Sequence, residues 1–376
     1  MAELKPLIWI DRREDVGPLC ERVGAADRVA LDTEADSFHS YFHKLCLIQL
    51  SFNGAHALID PLRLRREDLK PLVALLEDPA VEVLMHGADY DMRVLDRDLD
   101  AHPRGLRDTE VAARLLGEAK TGLAALLAQE LGVTVNKRFQ RADWGRRPLS
   151  AEMRRYAVGD TSHLADLTNR LESRLAGLGR LEWWREECAV LERTRYEPPA
   201  WSPLAFERVK QARKLKGSAR DRLAALFAWR EDAAARADCP PFHILAPKTM
   251  IQLAEAPPAD RRRLDVVPGV STVFSRRHGD AILALLAAPP PAPPRSAPRR
   301  GNRDSNRQAR VQELRDAVIG VAAELALNPS VLAPRTVLVE VARVAPRDQN
   351  ALGETLGRRW RAAVLADTLL PIVGAW

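Results

Sequence analysis

Only four cysteines occur in 376 residues, Cys20, Cys46, Cys188 and Cys239, and they lie too far apart to show any paired spacing. Without such spacing neither a disulfide framework nor a zinc site is indicated, and the four are expected as ordinary buried thiols in a reducing compartment. Long apolar runs are also missing: no uninterrupted stretch approaches the ~18 residues of a membrane span. Glu3 and Asp11 surround the short apolar run Leu7 to Ile10, unlike a secretory signal. A soluble cytoplasmic protein without membrane contact is the expectation. A large excess of either charge is lacking too, since the formal net charge is +6 and the pI about 9.3. The basic residues nevertheless gather in patches, which favours a polyanionic partner over a neutral metabolite.

What is present is enough apolar material for a large interior. With 46% hydrophobic residues, the chain can bury a sizeable core and divide into two or three domains. Up to about residue 195, strand-like and helix-like patterns alternate. Leu7 to Ile10, Arg28 to Ala35, Lys44 to Phe52 and Ala55 to Ile59 read as strands, the last two joined by the turn signal Asn53-Gly54 and expected as a hairpin-rich sheet edge. Arg66 to Leu76 has helical spacing, Val81 to Met85 reads as another strand, and helices follow near Tyr90 to Leu99, Thr109 to Leu116 and Leu123 to Leu131. Ser150 is a suitable N-cap for one long helix carrying Tyr156 and Asp160, with Gly177 and Gly179 as its stops. An α/β sandwich of mixed sheet and helices follows.

Proline punctuates the rest. Pro198, Pro199 and Pro203 flank Trp201 and separate this region from a purely helical one. Pro289, Pro290, Pro291, Pro293, Pro294 and Pro298 predict a stiff spacer that runs into the basic stretch Arg299, Arg300, Arg303, Arg307 and Arg310, expected to be mobile in the free protein. The helical part repeats itself: Leu245 to Ile251, LAPKTMI, recurs as Leu332 to Leu338, LAPRTVL, 87 residues on (332 − 245). That period exceeds those of solenoid repeats, so each copy is expected as a small helical bundle. Three folded units result, with boundaries at 1–197, 203–288 and 306–376 and the Pro/Arg-rich linker at 289–305.

Three local patterns carry chemistry. Asp32 and Glu34 follow the apolar Val29, Ala30 and Leu31, and a strand's period of two puts both carboxylates on one face. Tyr156 and Asp160, in YAVGD, stand at i and i+4 on one helix face. Asp91, in His86-Gly87-Ala88-Asp89-Tyr90-Asp91, falls in the first turn of a helix that follows a strand, where a carboxylate also serves as a partner of the helix dipole. Phosphodiester hydrolysis requires charge neutralised on the nonbridging oxygens, a hydroxide equivalent in line with the bond, and a stabilised leaving oxygen. Two Mg²⁺ or Mn²⁺ ions about 3.5 to 4 Å apart do all three, and hard cations are held by carboxylates. Four acids without His or Cys fit that demand. Tyr156, un-ionised near neutral pH, would orient the attacking water by hydrogen bonding.

Any one pattern alone is ambiguous; their order is not. The segments Leu31 to Leu50, His86 to Leu95 and Trp144 to Leu164 resemble the three exonuclease motifs of ribonuclease D, in the DEDDy branch of 3′-to-5′ exonucleases, and the similarity extends to Asp108-Thr109 and Asp143-Trp144. The resemblance implies a ribonuclease H-like α/β exonuclease domain followed by two all-α helical bundles. It implies that Asp32, Glu34 and Asp160 hold one ion, that Asp32 with the scissile phosphate holds the second, that Asp91 acts through bound water, and that Tyr156 positions the nucleophile. Thr33, His86 and Phe38 are the implied substrate contacts nearby. Ala35 stands where ribonuclease D often has an aromatic, so Phe38, Tyr41 or Phe42 is left to stack the terminal base; Met92 stands where Leu is frequent.

The region from Ala205 to Ala288 resembles the helicase and ribonuclease D C-terminal (HRDC) domain, and the region from about Asn306 to Trp376 a diverged second copy. Arg208, Lys210, Arg213, Lys214, Lys216, Arg220 and Arg222 face only Glu207 and Asp221, a surface suited to tracking phosphates. The resemblance therefore implies a metal-dependent exoribonuclease that releases nucleoside 5′-monophosphates from single-stranded RNA 3′ ends, tRNA precursors among them, acting as a monomer. Two other readings remain open at this stage. One is a 3′-to-5′ DNA exonuclease of the Werner or proofreading type, since the motifs do not distinguish ribose from deoxyribose. The other is a nucleic-acid-binding protein with an inactive exonuclease fold, against which all four acids are present.

Overall fold

Six strands of the first half pair into one mixed sheet in a computed structural model that describes residues 7–198, 200, 202–294 and 305–376. The strands are β1 (Leu7–Ile10), β2 (Arg28–Ala35), β3 (Leu45–Phe52), β4 (Ala55–Ile59), β5 (Glu82–Met85) and β6 (Leu106–Asp108), in the spatial order β1-β4-β3-β2-β5-β6. Asn53 and Gly54 both take positive φ, 46° and 70°, the conformation that a tight hairpin between β3 and β4 demands. That hairpin lies inside the sheet, a correction to the expected edge. β1 pairs in parallel with the outer side of β4 and satisfies the backbone groups an edge would expose. β2 and β5, and β5 and β6, are also parallel pairs. Val29, Ala30 and Leu31 of β2 are completely or almost completely buried, as a central strand covered on both faces requires.

The helices of this half are α1 (Arg13–Gly24), α2 (Lys70–Leu76), α3 (Asp89–Leu99), α4 (Thr109–Leu115), α5 (Leu123–Leu126), α6 (Ala151–Thr161), α7 (Leu164–Gly177) and α8 (Leu181–Leu191). α1, which no sequence pattern above marks, carries Pro18 inside it. Val16, Leu19 and Val23 bury one stripe at helical spacing, and that burial outweighs the bond lost at the proline. The single long helix expected from Ser150 is two. Ser150 does cap α6, accepting from the Met153 N–H at 3.1 Å, but the helix closes at Ser162, and Gly177 ends α7 instead.

The helical half holds α9 (Gly217–Ala237), α10 (Pro241–Ile244), α11 (Pro247–Glu255), α12 (Arg261–Asp265) and α13 (Thr272–Ala287), then α14 (Ser305–Glu324), α15 (Pro329–Leu332), α16 (Arg335–Val344), α17 (Gln349–Leu356) and α18 (Arg359–Gly374). The two sets repeat. Asp238 and Ala326 both end their first helix in the left-handed region, and Asp260 and Asp348 both cap a helix by accepting from the N–H three residues on. Both pairs are 88 apart (326 − 238 and 348 − 260), whereas the matching sequence motifs are 87 apart. Buried Met250 and Leu253 thus answer to buried Leu338 and Val341, not to the residues their letters align with.

The chain divides into two compact units. One joins residues 1–34, 45–197 and 301–376; the other joins 35–44 with 198–300. The segment expected as a separate third unit therefore shares its interior with the α/β residues. Trp183 of α8 stacks on Trp360 of α18 with centroids 4.6 Å apart. The Glu186 carboxylate accepts the backbone N–H groups of Arg359 and Trp360 at the start of α18, and Glu187 receives Arg358, Arg361 and the Trp360 indole. Gly117, at φ +82°, approaches so closely that a Cβ would lie 2.1 Å from the Ala326 carbonyl oxygen.

The second unit has its own core of Phe206, Leu223, Leu226, Met250, Leu253, Leu264 and Ile282. Asp238 accepts the backbone N–H groups of Tyr41 and Phe42 at 3.1 and 3.0 Å and pairs with Lys44. The start of the proline spacer is held as well: Arg220 donates to the Pro293 carbonyl, and Asp221 accepts from the Ala292 N–H. Pro199, Trp201, Pro298, Arg299, Arg300 and Arg303 lie outside the described residues, while Arg307 and Arg310, expected in a mobile stretch, belong to α14. Of the cysteines, Cys46 and Cys188 are buried as expected; Cys20 and Cys239 are only partly so.

Candidate active site

The end of β2 and the helix α6 supply three carboxylates to one point. Ligand atoms of Asp32, Glu34 and Asp160 all lie within 4.8 Å of one another. Burial, then the charges of Asp91, Asp160 and Glu34, push the Asp32 carboxyl well above the ordinary carboxylate range. Glu34 is pushed up to about 9, first by burial and then by Asp160 and Asp91. Asp160 is pushed up to about 7 by burial, an effect opposed by a hydrogen bond from Tyr156. Carboxyls this close cannot all ionise without a compensating positive charge, so the cluster is built to receive cations.

Asp91 heads α3 and is 7% exposed. Burial raises its carboxyl to about 6, while the Thr33 hydroxyl, its own backbone N–H and that of Thr33 hold it down. Thr33 is itself buried, and its hydroxyl is committed to Asp91. The residue expected to contact substrate thus also supports the acid. Asp91 influences Asp32 and Glu34 electrostatically but stands outside the tight trio.

The turn before α3 is shaped by a residue whose role the motif reading did not supply. Buried Asp108 caps α4 by accepting from the Glu110 and Val111 N–H groups, and also accepts from the Gly87 and Ala88 N–H groups at 3.2 and 2.7 Å. It ties the chain just ahead of Asp91 to the next helix. His86 faces Thr109 at 3.0 Å, and burial lowers its pKa, a structural setting at the strand end. Thr109 in turn donates to the Met85 carbonyl.

Tyr156 donates to Asp160 one turn along α6, and its phenol is held protonated far above neutrality by burial and the neighbouring Asp160, Glu34 and Asp32. Its ring contacts Trp144 and Phe139, with centroids 6.0 and 5.9 Å away. Trp144 belongs to a loop fixed by Arg147, which forms a forked pair with buried Asp60 at 2.6 and 2.7 Å and donates to the Trp144 and Cys46 carbonyls. A cavity of about 430 Å³ opens beside Tyr156 and Asp160, lined also by Phe139, Arg138 and Arg155.

Phe38 is 45% exposed and belongs to the second compact unit, together with exposed Lys210, Arg213 and Lys214. Arg220 and Arg222 leave the expected basic surface, because each is spent on protein groups: Glu207 and the Pro293 carbonyl for the first, the Ala254 carbonyl for the second. Asp96, Asp100 and His102 also bring their ligand atoms together, but Asp96 is taken by His102 and the Tyr196 N–H.

Residues 7–176 match a family model described as 3′-5′ exonuclease, and residues 219–286 match one described as HRDC domain. Ribonuclease D of Acidiphilium cryptum is 34% identical over 290 residues, 75% of this chain and 71% of that protein. The chain belongs to the ribonuclease D family. Another member, from Haemophilus influenzae, is 34% identical over 272 residues, 72% of this chain and 67% of that protein. The crystal structure of Escherichia coli RNase D, described as an exoribonuclease involved in structured RNA processing, superposes with a TM-score of 0.68 at 26% identity, covering 99% of this chain and 100% of that one. The fold is the ribonuclease H-like exonuclease fold with a helical C-terminal region containing an HRDC domain, and the activity is 3′-to-5′ exoribonucleolytic, on RNA substrates. This class of exonuclease depends on divalent metal, and the donor set of Asp32, Glu34 and Asp160, all hard oxygens, suits such an ion. Among the described residues no helix is long and apolar enough to cross a membrane.

Proposed function

We propose that Asp32, Glu34, Asp91 and Asp160 form a centre for two divalent cations, Mg²⁺ or Mn²⁺, at which nucleoside 5′-monophosphates are released from RNA 3′ ends. The observation that carries this reading is the convergence of Asp32, Glu34 and Asp160 within 4.8 Å. When bound, such ions supply charge neutralisation on the phosphate, an activated water and stabilisation of the leaving oxygen. Asp32, Glu34 and Asp160 would hold the ions directly, and Asp91, bonded to Thr33, would act through water. Tyr156, kept protonated, orients the attacking water by hydrogen bonding and takes no proton from it.

The substrate is an RNA with a single-stranded 3′ end, tRNA precursors being the substrate class favoured, with the enzyme working as a cytoplasmic monomer. The exposed cations Arg208, Lys210, Arg213, Lys214 and Lys216 of the first bundle suit the body of such an RNA. Asp160→Asn is the test. Hydrolysis of a 3′-labelled transcript should be abolished while the RNA affinity stays within about threefold, because the basic surfaces are untouched. Calorimetric Mn²⁺ binding should weaken in parallel. Unchanged turnover in this variant would refute the site. Matched RNA and DNA oligonucleotides decide the sugar, and a strong DNA preference would overturn the substrate assignment.

A further inference from the structure

We propose that Phe139 is the stacking platform for an unpaired base of the RNA strand, in the cavity that it lines beside Tyr156 and Asp160. The inference rests on the reading of those two residues as catalytic, and it extends that reading to a nucleobase subsite. The cavity of about 430 Å³ joins an aromatic ring to two guanidinium groups, Arg138 and Arg155, and to the Asn136 amide, all next to the carboxylate of the acid cluster. A ring with cations around it, adjoining the phosphodiester that reacts, is the composition of a single-strand nucleotide site. Its volume falls within the ~300 to 1,000 Å³ of small-ligand sites.

Phe139 is only partly buried, unlike Trp144 on the other side of Tyr156, which is 1% exposed. Its ring meets Tyr156 at 68°, a contact that holds the ring in place without a stacked partner. Arg138 reaches over that ring, 5.2 Å from its centroid, while pairing with Glu152 at 3.2 Å. Both members of that pair are more than half exposed, so the guanidinium can exchange Glu152 for a phosphate at little cost. Ala35, which follows the strand acids, offers no ring of its own.

The test compares the wild-type chain with Phe139→Leu and Phe139→Trp on single-stranded RNA, intact or carrying one abasic nucleotide at the terminal or the penultimate position. Leucine keeps an apolar contact for Tyr156 but cannot stack. On intact RNA, Phe139→Leu should lower kcat/KM by about 5- to 150-fold, chiefly through KM, the range expected of one base stack. Phe139→Trp should restore it. With the abasic nucleotide at the position that stacks, the wild type should fall to the level of Phe139→Leu. If the leucine variant loses the same factor on intact RNA and on both abasic RNAs, the ring merely packs Tyr156 and the subsite does not exist. Failure of the wild type to hydrolyse any of these RNAs with Mn²⁺ present would instead remove the active-site reading itself.

Discussion

Thr33 Oγ1 donates a hydrogen bond to Asp91, so the residue between the two strand acids holds the acid that heads α3. Strand alternation makes this possible: Asp32 and Glu34 face one way, and Thr33 faces the buried side where α3 begins. Replacing Thr33 with Val deletes the hydroxyl and keeps the shape. A hydrogen bond to a charged group is worth about 1.5 to 3 kcal/mol, so Asp91 should lose metal-competent character and kcat should drop roughly 10- to 150-fold. Thr33→Ser should retain most activity. Equal turnover in the wild type and Thr33→Val would show that the bond has no bearing on the site.

The cluster also predicts how stability depends on pH. Glu34 and Asp160, raised to about 9 and about 7, keep protons in the folded chain that they lose near pH 4 when unfolded. Between those limits the folded state binds more protons, so their contribution to metal-free stability is present at low pH and is lost as pH rises towards 9. The melting temperature of metal-free protein should therefore fall from pH 5 to pH 9, and Mn²⁺ should reverse the fall. Asp160→Asn should flatten it. A melting temperature that rises across this range would contradict the cluster's electrostatics.

Cation uptake at neutral pH should release protons, because Glu34 and Asp160 hold them in the metal-free chain. Titrating Mn²⁺ in two buffers of different ionisation enthalpy measures that release directly. The apparent heats should differ between the buffers at pH 6.5, and the difference should shrink in Glu34→Gln. Identical heats would mean that the acids are already ionised.

Arg147 and Asp60 form the other inward pair, with Asp60 only 1% exposed. Arg147→Met leaves a buried carboxylate without its partner, which should cost about 3 to 5 kcal/mol in urea unfolding. The double variant Asp60→Leu with Arg147→Met should recover much of that loss. Because Arg147 also holds the Trp144 carbonyl, the single variant should broaden the Tyr156 ring resonances.

Asp238 offers a readout in the second unit. Its carboxylate accepts from the Tyr41 and Phe42 amides while its own backbone sits at φ 42°. Asp238→Asn keeps both an acceptor and a residue tolerant of that conformation, whereas Asp238→Gly keeps only the conformation. Hydrogen exchange at residues 41 and 42 should accelerate in the glycine variant and stay slow in the asparagine one.

Much of the catalytic half was legible because its signals are local. Alternation in VALDTEA, the Asn53-Gly54 turn and the four-residue spacing of YAVGD each report on neighbours in sequence, and each is found where the pattern puts it. What could not be read is what long range decides. Asp60 meets Arg147 across 87 residues, and neither sits in a pattern that names the other. Phe139 has no periodic neighbours to mark it as the wall of a cavity. Pro18 hides α1, since the penalty is local and the burial that overrides it is not. The third folded unit read from the repeat is physically sound for an isolated bundle; nothing in the repeat tells that Trp360 will stack on Trp183 of the nuclease half.

That stack, with the Glu186 and Glu187 bonds beside it, has a consequence for how the two bundle copies can be dissected. A protease cut anywhere between residues 295 and 304 would sever the polypeptide yet leave the last fragment clasped to the nuclease body, so the pieces should co-purify under native conditions. The last bundle is thus part of the masonry of the enzyme, answerable to every change in α8, while the first keeps a private interior.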